Sequence, residues 1–211
     1  MQVAVFAKAP QAGFVKTRLI GKLGANGAAR LQRQLTLRTV MMAQQLTGAR
    51  VTLWCAPDDR HRSFRALARR FGIATTVQNG DDLGGRMANA FARCEGPALL
   101  IGCDCPALEA AHLARCAQLL QSGLDAVFIP AEDGGYVLVG LRRPEARLFD
   151  RIDWGGEHVM AQTRTRLREL NLSWEEPATL WDIDRPADLA RLASLPDWPA
   201  VADNRPSDPT A

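Results

Sequence analysis

An α/β protein, with a mostly parallel sheet and helices on both faces, is the fold class that this sequence predicts. Three observations lead there. Stretches with strand character alternate with stretches of amphipathic helical spacing for most of the length. One apolar run, residues 97–102, shows no polar alternation, as a strand buried on both faces should. A loop of Gly, Pro and cations follows directly on the first apolar run, at a strand end of the kind where such folds bind ligands.

The elements follow in order. Residues 3–7 are a short apolar strand. Residues 28–47 read as a helix, with Leu31, Leu35, Met42 and Leu46 on one stripe. Residues 51–55 form a strand. Phe64, Leu67, Ala68 and Phe71 have the i, i+3, i+4, i+7 spacing of an amphipathic helix over 60–71. A short strand at 73–77 precedes a helix at 83–93. After the buried strand at 97–102, Leu113, Cys116, Ala117 and Leu120 give another helical stripe. Strands at 126–130 and 136–141 flank a Gly-Gly turn, and Pro186 is placed to open a late helix. Residues 1–195 read as one domain. Residues 196–211 hold four prolines without periodicity and read as a disordered tail.

Composition narrows the function. Hydrophobic residues at 47% and charged residues at 23% of 211 describe an ordinary soluble domain. A net charge of +3 and a single Tyr argue against nucleic acid as a partner, since neither a basic stripe nor a stacking platform is present. Five cysteines without regular spacing fit a reducing compartment rather than a disulfide framework. No run approaches the length of a membrane span, and the first twenty residues have neither signal-peptide nor anchor pattern. The expected location is the cytoplasm.

The chemistry sits in loops that follow strands. In Lys8-Ala-Pro-Gln-Ala-Gly-Phe-Val-Lys-Thr-Arg18, Gly13 allows a tight fold that aims N–H groups at an anion, and Lys8, Lys16 and Arg18 supply cations for phosphate oxygens. The expected cargo is a nucleoside diphosphate or triphosphate. Such chemistry uses a divalent cation, and Mg²⁺ takes one or two carboxylates besides substrate oxygens and water. Asp104, directly after the buried strand, is the first candidate ligand, although an Asp there also suits a helix N-cap. Asp182, Asp184 and Asp188 compete for the second position, and Asp184 is preferred. If the segment is extended, Ile183 turns inward and both Asp182 and Asp184 turn outward. Asp133, in Asp-Gly-Gly-Tyr, suits a general base for an acceptor hydroxyl or an ordinary turn. Gly134, Gly135 and Tyr136 stand with it on the acceptor side, and Trp154 is placed to close over a sugar ring. Gly84 and Arg86 are candidates for contacting the base or ribose, in a segment that also suits a helix N-terminus.

Four of these segments together resemble the DUF2064 group: Lys8-x-Pro-x-x-Gly13-x-x-Lys16-Thr-Arg-Leu19, Gly102-x-Asp-Cys-Pro106, Asp133-Gly-Gly-Tyr136 and Asp182-Ile-Asp-x-Pro186. The resemblance runs over about residues 1–195 and implies a GT-A-like, Rossmann-like three-layer sandwich of the nucleotide-diphospho-sugar transferase superfamily. Some members of the group are labelled arsenosugar-biosynthesis-type glycosyltransferases. Carried over, the resemblance puts Mg²⁺ (or Mn²⁺) on Asp104 and Asp184, and the nucleotide phosphates on Lys8, Gly13, Lys16 and Arg18. The chain departs from the group's pattern with Cys103 for Ser, Gly155-Gly156 for Ser-Thr after Trp154, and Arg185 for Thr. The first expectation is a glycosyltransferase that uses a nucleotide-sugar and a small-molecule acceptor. A nucleotidyltransferase releasing pyrophosphate is the alternative, and a nucleotide-binding protein without catalysis is the third.

Overall fold

The computed structural model describes residues 1–195 and 198. The remainder of the segment from 196, read above as a tail, lies outside the described residues. Seven strands form one sheet: β1 (Gln2–Lys8), β2 (Arg50–Ala56), β3 (Ala74–Val77), β4 (Ala98–Gly102), β5 (Ala126–Pro130), β6 (Tyr136–Leu141) and β7 (Trp174–Glu175). Their spatial order is β3-β2-β1-β4-β6-β5-β7. The first four are mutually parallel, and β6 runs antiparallel to both β4 and β5. This is the mixed, mostly parallel three-layer arrangement expected.

The central strands bury both faces, which is why their sequences lack polar alternation. Val3, Val5 and Ala7 of β1 enter one core while Ala4 and Phe6 enter the other. In β4, Leu99 and Ile101 face the first core and Ala98 and Leu100 the second. The first core lies under α1 (Ile20–Ala43), α2 (Arg62–Phe71) and α4 (Ala110–Gln121). The second lies under α3 (Leu83–Ala92), α5 (Val159–Glu169) and a 3-10 turn at Ala146–Phe149. Among the described residues no helix is long and apolar enough to cross a membrane.

Two differences from the expected elements have local causes. Helix α1 begins at Ile20 rather than near 28, and its first turn is set off by Gly24, whose φ of 68° interrupts the helix. That stretch carries three glycines and no apolar stripe, so periodicity could not reveal it. Helix α5 has no stripe assigned to it by apolar spacing, because polar and charged residues dilute its buried positions Val159, Met160, Thr163 and Leu167. The late helix, α6 (Asp188–Ala193), starts two residues after Pro186.

Topology positions the site. Chain leaving β1 crosses to β2 on one side, while β4 lies on the other, so a crevice opens beyond the carboxyl ends of β1 and β4. The 130–136 hairpin reaches the same edge because β6 begins where β4 ends. Residues 180–183 then close the crevice. Leu180 donates to the Pro130 carbonyl at 3.0 Å, its own carbonyl accepts from Glu132 N–H at 2.9 Å, and Ile183 N–H reaches the Asp104 carbonyl at 2.8 Å. Trp181 and Ile183 are buried with Leu19, Leu31 and Leu35, leaving Asp182 and Asp184 on the opposite side of the extended segment.

Candidate functional site

The loop after β1 folds back on itself. Gly13 has φ +85°, and a Cβ there would meet open space, so its place in the turn is set by backbone conformation. Val15 is buried and pins the loop. Lys16 takes the left-handed conformation at φ 47°, which costs a non-glycine residue about 1 kcal/mol. That conformation drops its side chain into the crevice, where only 4% remains exposed. The ammonium lies 2.8 Å from Asp104 Oδ1 and also donates to the Ile183 carbonyl. Two loops and the closing segment therefore meet at one buried charge. Arg18 ion-pairs with Asp184, with both side chains partly in solvent. Lys8 is exposed at the end of β1.

Asp104 is not a helix cap. The following helix is capped by Glu109, in a capping box with His112. The Asp104 side chain is 53% exposed, open to the crevice on the side away from Lys16. Asp182 stands in the field of two other carboxylates. Burial, first, and then Asp133 and Asp104 push its pKa up to about 6, with Lys16 partly offsetting them. The three carboxylates converge from three loops, and their mutual repulsion is what a divalent cation would relieve. Among the described residues no group of three or more His, Cys, Asp or Glu is arranged to hold a metal by itself. The donor set fits Mg²⁺, which takes one or two carboxylates and leaves its other positions to phosphate and water.

Several expected site residues are placed differently. Asp184, preferred as the second metal ligand, is engaged by Arg18, while Asp182 is the carboxylate beside Asp104 and Asp133. Backbone stitching decides this, because the register of 180–183 turns Asp182 toward the hairpin. Tyr136 does not present its hydroxyl to an acceptor. The hydroxyl points to Met87 Sδ at 3.8 Å, the ring packs edge-on against Phe128, and burial raises its pKa. Gly134, at φ +94°, is closely approached by the Glu157 carbonyl, and its own carbonyl accepts from Met160 N–H at 2.8 Å. Gly84 lies beneath Trp154, whose indole would be 2.7 Å from an added Cβ. Trp154 in turn packs against Tyr136 and Phe149. Arg86 donates to the Gly80 carbonyl at 3.2 Å, bracing the loop before α3. Asp133 stays exposed, with Oδ1 accepting from Gly135 N–H at 2.9 Å in the hairpin turn.

The model of the family described as "Uncharacterized protein conserved in bacteria (DUF2064)" matches residues 37–156. A phosphoenolpyruvate guanylyltransferase from Rubrobacter xylanophilus is 30% identical over 198 residues, covering 90% of this chain and 94% of that protein. Among solved structures, a candidate nucleotide-diphospho-sugar transferase from Desulfovibrio desulfuricans G20 superposes with a TM-score of 0.82 at 28% identity, covering 93% of this chain and 88% of that one. A glucosyl-3-phosphoglycerate synthase from Mycobacterium tuberculosis, solved with Mn²⁺, uridine diphosphate and its product, shares the fold at a TM-score of 0.52 and 11% identity, over 90% of this chain and 75% of that one. These relatives are transferases of nucleotides or of nucleotide-linked sugars, and this chain is of the transferase class. It belongs to the DUF2064 family and has the nucleotide-diphospho-sugar transferase fold.

Proposed function

We propose that this protein is a nucleotidyltransferase that joins a nucleoside monophosphate, taken from a triphosphate, to a small acidic acceptor and releases pyrophosphate. The observation that carries this reading is the Lys16–Asp104 pair at the carboxyl ends of β1 and β4, flanked by Asp182 and Asp133. Cation and carboxylates meet there at the point where phosphates bind in open α/β sheets. The named activity of the Rubrobacter relative supports guanosine triphosphate as the first donor to test, and a phosphorylated carboxylic acid as the acceptor.

In the reaction an acceptor oxygen attacks the α-phosphorus, and the bond from that phosphorus to the bridging α–β oxygen breaks, so that pyrophosphate departs. Lys16 and Arg18 hold phosphate oxygens, and the Gly13 turn brings backbone N–H groups close to them. Each cation now has a carboxylate partner, so phosphate binding exchanges one anion for another instead of desolvating a bare charge. Asp104 and Asp182 would hold a Mg²⁺ or Mn²⁺ ion, which supplies charge neutralisation on the phosphates when bound. Asp133 orients the acceptor from the hairpin side. A phosphorylated or carboxylated nucleophile needs no proton removed, which suits a site where Tyr136 and Gly134 are engaged in packing.

Glycosyl transfer from a nucleotide-sugar is the second reading, favoured by the likeness to the Desulfovibrio protein. Each nucleoside triphosphate is incubated with Mg²⁺ and candidate acceptors, and pyrophosphate is measured. Pyrophosphate release is expected, with Asp104→Asn losing turnover and metal-dependent nucleotide binding while keeping its circular dichroism. Wild-type turnover in that variant removes Asp104 from the chemistry. Nucleoside diphosphate release from a nucleotide-sugar, with no pyrophosphate from any triphosphate, establishes the glycosyl reading instead.

A further inference from the structure

A second cavity lies beside the phosphate loop, on the α1/α2 side of the sheet. It has a volume of about 480 Å³ and is walled by Pro10–Ala12, by the outer face of α1 and by the start of α2. Arg30 and Arg33 line it from α1 and Arg62 from α2, with His61 at the rim. No Asp or Glu is in its lining, and among the described residues none of these three arginines is in an ion pair. Asp58 acts electrostatically on His61, but neither it nor Asp59 ion-pairs with these arginines. Asp58 Oδ1 accepts from Arg60 N–H at 2.8 Å, and Asp59 accepts from Thr75 at 3.5 Å.

The surroundings strengthen this imbalance. Helix α1 carries four cations and α2 four more, with no Asp or Glu in either, so this layer is far more basic than the net charge of +3 indicates. The N-terminus of α2 opens on the cavity and adds its dipole. His61 Nδ1 accepts from Ser63 N–H, and burial, followed by Arg62, lowers its pKa, so the ring caps the helix in its neutral form. Three guanidinium groups without an ion-pair partner around one cavity match a multiply charged oxyanion, because each planar fork takes two oxygens. A single carboxylate would leave most of that charge unbalanced.

We propose that this cavity is a second anion site, separate from the Lys16–Asp104 crevice, and that it takes pyrophosphate or a phosphate monoester. Its wall, Pro10–Ala12, belongs to the same loop that carries Gly13 and Lys16. Occupancy therefore bears on the nucleotide loop, and the two sites influence each other's affinity reciprocally. Pyrophosphate would be the product of the proposed reaction, held one loop away from where it is formed. A phosphate monoester would be an independent metabolite that sets the affinity for nucleotide.

The test is calorimetric titration of the wild-type chain with inorganic pyrophosphate and, separately, with inorganic phosphate, at fixed ionic strength and without nucleotide. Saturable binding is expected. It should weaken at least about tenfold in an Arg33→Gln/Arg62→Gln double variant, since each lost charge-assisted contact is worth roughly a factor of ten or more. Saturable binding at this cavity should persist in Lys16→Gln, which removes none of the lining cations. Both arginines are exposed, so the double variant keeps its fold, and Arg33→Lys/Arg62→Lys keeps part of the affinity. Tighter binding of pyrophosphate assigns the site to the product, and tighter binding of phosphate to the monoester. Absence of saturable binding, unaltered affinity in the double Gln variant, or loss of binding in Lys16→Gln overturns the proposal. The site is independent of the nucleotidyl reading, because failure to release pyrophosphate from any triphosphate would leave these titrations unaffected.

Discussion

Asp182 carries an energetic cost that a single substitution should expose. Its carboxyl, ordinarily near 3.8, is pushed up to about 6 by burial and by Asp133 and Asp104. Between roughly pH 4 and 6 the folded chain thus retains a proton that the unfolded chain has released, and stability falls as pH rises through that window. At about 1.36 kcal/mol for each pH unit, the full displacement corresponds to about 3 kcal/mol. Part of the side chain touches water, so solvent screening reduces this to about 2 kcal/mol. Asp182→Asn has nearly the same shape and never ionises. It should be more stable than wild type by about 2 kcal/mol at pH 8 and equal to it at pH 4. Urea denaturation at both pH values, without divalent metal, measures the difference. Asp125, held down to about 2 by Arg142 and Ser173, stabilises above the usual carboxylate range and loses that contribution as pH falls, but it does so in both proteins and cancels. A variant no more stable than wild type at pH 8, or a gain equal at both pH values, would refute the placement of Asp182 between two like charges. The same variant should lose metal-dependent turnover, the usual relation between a strained site and its activity.

Two glycines test the packing around the residues expected on the acceptor side. Gly134→Ala forces a side chain into the Glu157 carbonyl at a positive φ, and should destabilise the chain by about 3 kcal/mol in urea denaturation. A loss below about 0.5 kcal/mol would show that the 153–158 loop does not rest on the hairpin. Gly84→Ala should push the Trp154 indole outward, costing about 1–2 kcal/mol and shifting tryptophan emission to longer wavelength. An unchanged spectrum would remove that contact.

The place of the cationic loop at a strand end was legible because glycine and cations concentrate within a few residues directly after an apolar strand. The position of Asp104 at the end of β4 was legible for a similar reason, since it follows an apolar run that alternates with nothing. The choice between Asp182 and Asp184 was not. Alternation places both on one side of an extended segment, and only hydrogen bonds to Pro130, Glu132 and Asp104 decide which one faces the hairpin. The packing of Tyr136 against Phe128 and Trp154 was not legible either, for a different reason. An aromatic side chain carries large apolar area along with its polar handle, and its sequence position does not tell which of the two is used. The cavity beside α2 was invisible because Arg30, Arg33 and Arg62 come from two helices, each an ordinary solvated face when read alone.

The sequence by itself determined the alternating α/β order, the twice-buried central strands and the position of the cationic loop, because each is a local matter of side-chain period and turn chemistry. Tertiary structure alone decided which charges meet. Lys16 touches Asp104 across two loops, and Asp182 shares its surroundings with residues roughly 50 and 80 positions away. Coulombic interaction depends on distance in space and on exclusion of water, and neither is a property of neighbouring residues along the chain.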